Sequence, residues 1–317
     1  MRITVSGGAG FIGSHLVDRL VENGHHVVVL DDFSSGHRAN LPEDHPRLRI
    51  LEGDAADPRA AAAATDGASV VVHLAAVASV RASIEHPVTT HRANLIATLI
   101  MLEAACAAGA QDFLYASSAA VYGDSQDRPI AEDAPKTPLS PYAADKLAGE
   151  HYLAHYHRTG RIRGVAFRFF NVYGPRQDPT SPYSGVISIF ARSARRGEPI
   201  TVYGDGEQTR DFVYVSDVVD QLAAAIAAAP SRPSDGGELP VFNLGTGRDV
   251  SLRQLIATLE DLLGPIDVRY GPERAGDIRH SLADTTRLER WCAERGIRPP
   301  STTLPAGLER LLAAAPG

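Results

Sequence analysis

Only two cysteines, Cys106 and Cys292, occur in 317 residues, and neither stands at metal-ligand spacing from a partner, which excludes a disulfide framework and a zinc site. No metal is expected. The longest uninterrupted apolar run, Leu222–Ala229, is too short to cross a bilayer. No leader is read ahead of the first apolar segment, because Met1-Arg2 runs straight into Ile3-Thr4-Val5. Basic charge is not in excess: the net charge of −7 argues against nucleic acid as a general partner and still allows an anionic small ligand in a locally basic pocket. No repeat of solenoid length is present. Apolar residues at 44% and charged residues at 22% match an ordinary globular composition, so a disordered or fibrous chain does not fit. These absences predict a soluble, cytoplasmic protein of one large or two medium domains with no membrane partner.

What is present is a regular alternation. Arg2–Ser6, His26–Leu30, Arg49–Glu52, Val70–His73, Phe113–Ala116 and Gly164–Arg168 read as short apolar strands. Periodic, often Ala-rich stretches such as His15–Asn23, Asn94–Ala108 and Tyr142–Arg158 lie between them. Strand–helix units of this length build a parallel sheet covered on both faces, an α/β doubly wound fold. After Asn171 the pattern loosens around Pro175, Pro179 and Pro182, and a Pro/Ser/Gly-rich link spans Pro230–Gly237. The expected organisation is a nucleotide-binding domain over 1–170 and a smaller, partly interleaved α/β substrate domain over 171–317, with part of about 207–235 returning to the first.

The first strand ends in Gly7-Gly8-Ala9-Gly10-Phe11-Ile12-Gly13, and a helix follows. Gly8, Gly10 and Gly13 fit G-x-G-x-x-G, and Gly7, Gly10 and Gly13 fit G-x-x-G-x-x-G. Glycine suits a tight turn whose backbone must approach a pyrophosphate, and the helix N-terminus offers unpaired N–H groups to that anion. The pattern alone also describes an ordinary strand–helix turn. Asp31, closing the second strand at the expected distance, turns it into a Rossmann dinucleotide site. Its carboxylate can accept from both adenosine ribose hydroxyls, and with Asp32 it would repel a 2′-phosphate, so NAD is favoured over NADP. His37 and Arg38 nearby read as surface-loop residues. Asp54 after the third strand either meets the adenine edge or simply forms a turn.

Ser117-Ser118-Ala119-Ala120-Val121-Tyr122-Gly123 follows a strand, at the carboxyl edge where such sheets bind ligands. Downstream, Pro141-Tyr142-Ala143-Ala144-Asp145-Lys146 opens a helix, and Tyr142 and Lys146, four apart, share one face. An ammonium beside a phenol favours the phenolate, as does the charge of oxidised nicotinamide, and so suits Tyr142 to act as a base. Tyr-x-x-x-Lys by itself also fits a plain amphipathic helix; joined to an upstream serine and an N-terminal glycine turn it is specific.

With these motifs in hand, the chain resembles the extended short-chain dehydrogenase/reductase family, and within it the UDP-hexose 4-epimerases such as UDP-glucose 4-epimerase. The similarity spans nearly the whole chain. It runs through Gly7–Gly13, Asp31, Asp54, His73-Leu74-Ala75-Ala76, Asn94, Ser117–Gly123, Tyr142/Lys146 and Arg168–Pro175. It continues through Gly204–Phe212, Asn243–Gly247 and Arg274-Ala275-Gly276-Asp277. The resemblance implies a cofactor site of Gly7, Gly10, Phe11, Ile12, Gly13, Asp31, Asp54, Asn94, Tyr142 and Lys146, holding a tightly bound NAD. It implies Tyr142 as the base for the sugar 4-OH, Lys146 lowering the pKa of Tyr142 and holding the nicotinamide ribose, and Ser118 on the 4-oxygen. In the family's 4,6-dehydratases the positions matching Ala119 and Ala120 carry an Asp–Glu pair, and uronic-acid decarboxylases keep a Glu at the second. A methyl group cannot move a proton.

The resemblance further implies that Asn171, the backbone around Val186, Arg210 and Arg274 hold the uridine diphosphate of a UDP-sugar, a guanidinium fork matching diphosphate oxygens. Any one such arginine, taken alone, reads as a solvated surface residue. Ser281 falls where some relatives carry a pocket-closing Tyr, and its small side chain leaves room for a C2 N-acetyl group. Ala78 stands where some epimerases place a cofactor-side Lys. His73 and Trp291 and the Leu304–Leu312 stripe read as core, and His151, His155 and His157 as one exposed helix face. A homodimer packed through Asn94–Ala108 and Tyr142–Arg158 as a four-helix bundle is implied as well. Another nucleotide-sugar reaction on the same fold (a UDP-uronic acid 4-epimerase, an epimerase at another ring position, a dehydratase) and a non-catalytic NAD-binding sensor are the competing readings.

Overall fold

The computed structural model describes residues 1–178, 185–228, 237–273 and 278–314. They group into two compact units: Met1–Val121 with Pro138–Arg168 and Val219–Phe242, and Tyr122–Thr137 with Phe169–Val218 and Asn243–Gly317.

The first unit is built on a seven-stranded sheet. Its strand order is Val241–Leu244, Arg163–Phe169, Asp112–Ser118, Val70–His73, Arg2–Ser6, His26–Asp31 and Leu48–Glu52. The central pairs are parallel, with Ile3 beside Val27 and Val70, and Val71 beside Phe113. This is the doubly wound order, which reverses direction between Arg2–Ser6 and Val70–His73 and leaves a crevice at their carboxyl ends. Val70–His73 is buried at every position, as a strand covered on both faces must be, whereas the edge strand Leu48–Glu52 is only half-buried. Helices Phe11–Glu22, Pro58–Thr65, Ala97–Ala107 and Pro141–Arg158 cover the sheet. Asp57 caps the second of these and Ser140 the fourth, each side chain accepting a backbone N–H two or three residues on, with proline opening the helix behind it.

The strands run one or two residues past their apolar cores at Asp31, Leu48, Asp112, Ser117–Ser118 and Phe169. The first helix begins at Phe11 rather than His15, directly on the glycine turn. The helix expected from Asn94 starts at Ala97, preceded by a π turn over Arg92–Ile96. His157 is buried, not exposed: its Nδ1 accepts the Gly164 N–H at 2.9 Å, and burial lowers its pKa. His151 and His155 are exposed.

The second unit centres on Thr209–Tyr214, flanked by Asn171–Tyr173 and His280–Ser281 in parallel and by Asp249–Ser251 antiparallel, with a separate parallel pair Ile200–Tyr203 and Val268–Gly271. Two buried side chains organise it. Asp211 accepts from the Thr246 N–H (2.8 Å), the Thr246 hydroxyl (2.7 Å) and the Gly247 N–H (2.9 Å). Asn243 accepts from the Tyr122 hydroxyl (2.6 Å) and donates to the Ile130 carbonyl (2.8 Å), while its own N–H meets Glu132 (2.9 Å). Those bonds draw Tyr122–Thr137, inside the expected 1–170 stretch, into the second unit. Trp291 is half-buried beneath the Arg295 guanidinium rather than in the core; Leu308 is fully buried. Among the described residues no helix is long and apolar enough to cross a membrane.

Candidate active site

The glycine turn is shaped by crowding as much as by flexibility. Gly7 has φ +71°, and a Cβ there would lie 2.6 Å from the Ala75 backbone nitrogen. At Gly13 it would lie 2.1 Å from the Gly7 carbonyl oxygen, because helix and strand pass that closely. Gly10 caps the helix with no side-chain acceptor, so the backbone N–H groups of the first turn, at Phe11 and Ile12, face no capping side chain. Asp31 sits below the turn, its Oδ2 accepting the Ala9 N–H at 2.8 Å and its Oδ1 the Phe33 N–H at 2.9 Å. Burial raises the Asp31 pKa, and the two backbone donors and Asp32 modulate it. Each oxygen retains a second lone pair for a hydroxyl. A cradle that Cβ atoms would fill, a bare helix N-terminus and a buried ribose acceptor together fit a dinucleotide.

Asp54 forms the turn that is one of its two expected roles, and adds an ion pair. Its Oδ1 forms a turn with the Ala56 N–H (2.7 Å) and its Oδ2 pairs with Arg92 (2.7 Å). Asn94, buried in the π turn, accepts the Val77 N–H at 2.8 Å and holds the loop that carries Ala78. π turns of this kind recur at functional sites.

At the end of Asp112–Ser118 the first unit brings together Ser118, Tyr142 and Lys146. The Ser118 hydroxyl hydrogen-bonds Tyr142 and accepts the Ala120 N–H at 3.2 Å. Burial raises the Tyr142 pKa, with the Ser118 bond pulling the other way. The net direction is thus upward, opposite to the lowering expected from Lys146. Burial is the larger influence; the Lys146 ammonium donates to the Ala116 carbonyl at 2.8 Å and lies 5.1 Å from the Tyr115 ring centre. Burial pulls the Lys146 pKa down to about 8, and the Asp145 charge opposes it. Beneath it, His73 is fully buried between Ser6 (2.6 Å) and Thr98 (3.0 Å), its pKa depressed to about 3 by burial and by Lys146, so it packs as a neutral ring.

A folded-state pKa below the unfolded value means that the buried ammonium destabilises the fold at neutral pH, and that the penalty fades between about pH 8 and 10.5 as the folded state gives up its proton first. Lys146→Met is therefore expected to stabilise the cofactor-free protein by about 1–3 kcal/mol at pH 7. The gain should vanish near pH 10.5. Thermal or urea midpoints at the two pH values check it, and an equal gain at both would refute the electrostatic origin.

Sequence reasoning passed over three residues of this region. Glu150 lies one turn beyond Lys146 on the same helix, buried against Arg168 (2.9 and 2.7 Å) and the Ser117 hydroxyl (2.5 Å). The spacing Tyr142, Lys146, Glu150 was the available signal, since i, i+4 and i+8 share a face.

In the second unit, Arg210 and Ser281 are register partners on adjacent strands, and Arg210 donates to the Thr209 carbonyl at 2.8 Å. Asn171 begins the strand beside Phe212. Val186 is the first residue of helix Val186–Arg195, whose cap Gly185 offers no side-chain acceptor. Arg274 and Asp277 lie outside the described residues.

A redox-cofactor cradle beside a hydrogen-bonded serine–tyrosine pair with a lysine one turn on defines an enzyme of the short-chain dehydrogenase/reductase type. Residues 3–245 match the NAD dependent epimerase/dehydratase family, and the chain belongs to that family. It is 40% identical over 292 residues to a UDP-glucose 4-epimerase of Mycolicibacterium smegmatis, covering 90% of this chain and 91% of that one. Its fold matches the UDP-glucose 4-epimerase of Thermotoga maritima solved with UDP-glucose, with a TM-score of 0.88, 37% identity and coverage of 98% and 97%. It also matches the UDP-N-acetylglucosamine 4-epimerase of Methanobrevibacter ruminantium solved with UDP-N-acetylmuramic acid, with a TM-score of 0.88, 36% identity and coverage of 98% of both chains. UDP-glucuronic acid decarboxylases and a dTDP-glucose 4,6-dehydratase are among the relatives too.

Proposed function

We propose that the chain is an NAD-dependent 4-epimerase that interconverts UDP-glucose and UDP-galactose and also takes their N-acetylated counterparts. One observation carries this reading: the hydrogen-bonded Ser118–Tyr142 pair is followed by Ala119 and Ala120. Groups able to move a proton at the sugar C4 oxygen are present, and none stands where relatives place an acid and a base for C5 and C6.

Gly7, Gly10, Phe11, Ile12, Gly13, Asp31, Asp54 and Asn94 would hold NAD, with Tyr142 and Lys146 at its nicotinamide ribose. When bound, NAD would supply a reversible hydride acceptor for C4, with no net redox change. Tyr142 takes the 4-OH proton as C4 loses hydride. Ser118 holds the 4-oxygen and relays that proton. Once the sugar has turned its other face to the cofactor, Tyr142 would give its proton back to the 4-oxygen. Lys146, kept cationic below about pH 8, favours the phenolate once the substrate is in place.

In this reading the unit of Met1–Val121, Pro138–Arg168 and Val219–Phe242 is the cofactor domain, and the unit of Tyr122–Thr137, Phe169–Val218 and Asn243–Gly317 is the sugar-nucleotide domain, in which Asn171, Val186, Arg210 and Arg274 hold the diphosphate and its nucleoside. The enzyme works in the cytoplasm as a homodimer joined through Asn94–Ala108 and Tyr142–Arg158. Exposed Ile84 and Val88 beside those helices, and Tyr152 on the second, support an apolar interface.

Proton NMR of the purified protein with UDP-glucose, UDP-GlcNAc and UDP-glucuronate, without added cofactor, tests the proposal. Interconversion at C4 of the first two is expected; no conversion of either while NAD is bound would overturn it. Ser281→Tyr should lower kcat/KM for the acetylated sugar about 10- to 200-fold and leave UDP-glucose nearly unchanged, the scale on which one bulky group discriminates in a pocket. Equal turnover of both sugars by that variant would remove Ser281 from the specificity argument.

A further inference from the structure

Three consecutive residues of the strand Asp112–Ser118 are each tied to one of three successive turns of the helix Pro141–Arg158. Ser118 bonds Tyr142, the Ala116 carbonyl accepts from Lys146 at 2.8 Å, and the Ser117 hydroxyl donates to Glu150 at 2.5 Å. Only the third of these involves neither reacting group. It is also the most heavily anchored, because both Glu150 oxygens take the Arg168 guanidinium, at 2.9 and 2.7 Å. Arg168 and Glu150 have side-chain exposures of 4% and 6%. A buried ion pair of this kind seldom justifies itself by stability, since apolar residues of similar volume often serve as well. Its forked geometry instead fixes direction and register.

We propose that Glu150, held by Arg168, is a positioning residue for the 4-epimerase reaction: by fixing Ser117 it sets the height of the strand end against the helix and so the alignment of Ser118 with Tyr142. The inference rests on the reading of Ser118 and Tyr142 given above. Glu150 touches no reacting atom. Its influence passes along one peptide to Ser118 and along two helical turns to Tyr142, so a loosened rung alters the reacting geometry more than the binding of sugar or cofactor. A misplacement of about 1 Å can cost about 100-fold in rate.

The test compares the wild type with Glu150→Gln, Ser117→Ala and the apolar double variant Glu150→Met/Arg168→Met, each assayed for kcat, KM, bound NAD and thermal midpoint. Glu150→Gln is expected to lose about 10- to 100-fold in kcat with KM and NAD content within about threefold of wild type, and Ser117→Ala, which removes the rung outright, to lose at least as much. The double variant separates position from stability, because two thioether side chains refill the volume and remove the buried charges. Its thermal midpoint should return to the wild-type value or above it while kcat stays low. Recovery of kcat together with the midpoint would show that the pair only stabilises the fold, and would overturn the proposal. So would a Glu150→Gln enzyme with unchanged kcat, or one whose loss falls wholly on KM. A wild-type enzyme that epimerises none of the sugars would instead overturn the reading on which the inference rests.

Discussion

Replacing Tyr142 by Phe should lower kcat by about 10²- to 10⁴-fold, the usual loss when a positioned acid–base group is removed, while the protein still purifies with NAD. The ring remains and only the oxygen that carries the 4-OH proton is lost, so the fold and the rest of the cofactor cradle, at Gly7–Gly13, Asp31 and Asn94, are kept. The pH dependence adds a second readout. Burial raises the Tyr142 pKa, so in the wild type the active phenolate is scarce at neutral pH and the rate climbs as pH rises. Lys146, with its pKa near 8, loses the ammonium that favours the phenolate as pH rises. The two opposing titrations give a bell, and its limbs belong to the coupled pair rather than to either residue alone. The Phe variant should show neither the depth of activity nor the rising limb. A variant within tenfold of wild type, or one that keeps the limb, would remove Tyr142 from the base role.

The second large effect is expected at Gly13. Substitution by Ala places a methyl 2.1 Å from the Gly7 carbonyl oxygen and 2.8 Å from the Gly8 Cα, all backbone, so nothing nearby can rotate away. The turn must open, and with it the separation between the strand end and the helix N-terminus. The purified Gly13→Ala protein is therefore expected to carry almost no NAD and to be inactive unless the cofactor is added in large excess. Gly10 provides the internal control. A Cβ there meets only the Gly7 carbonyl oxygen, at 3.3 Å, a contact that a few tenths of an ångström relieve. Gly10→Ala should keep most of its cofactor. Absorbance or mass measurement of released nucleotide per chain decides the matter, and equal retention by both variants would mean that close packing at Gly13 is not what holds the turn.

The parallel sheet was readable from its own physics. A strand covered on both faces is a run such as Val70-Val71-Val72, and the glycine turn announces itself where the first such run stops. The ends were harder. Asp112, Ser117 and Ser118 belong to a strand but are polar, so apolar periodicity stops short of the residues that matter most for chemistry. The π turn at Arg92–Ile96 left no trace, since a single extra residue in a helical turn does not alter the spacing of apolar positions visibly. In the second unit the strands Asn171–Tyr173, Asp249–Ser251 and His280–Ser281 are too short to show alternation. Side-chain roles followed the same rule. Tyr142 and Lys146 could be read because their spacing has a chemical meaning in one helix. Glu150 and Arg168, by contrast, meet across 18 residues of sequence and His157 meets Gly164 across 7, contacts that only the folded chain reveals.

Asn243 has a consequence for the order in which the molecule can be assembled. It bonds Tyr122, 121 residues earlier, and Ile130, 113 residues earlier, while Glu132 reaches forward 111 residues to its N–H. A ribosome has therefore released the whole Tyr122–Thr137 stretch long before the partners of its buried polar groups exist. During that interval the stretch must remain hydrated, because burying those groups unpaired would cost about 1–3 kcal/mol each. A fragment cut near residue 170, where the sequence pattern loosens, would carry this stretch without ever receiving its partners. Separating the two units as independent folding bodies thus requires removing or replacing Tyr122–Thr137, not merely choosing a cut in a loop.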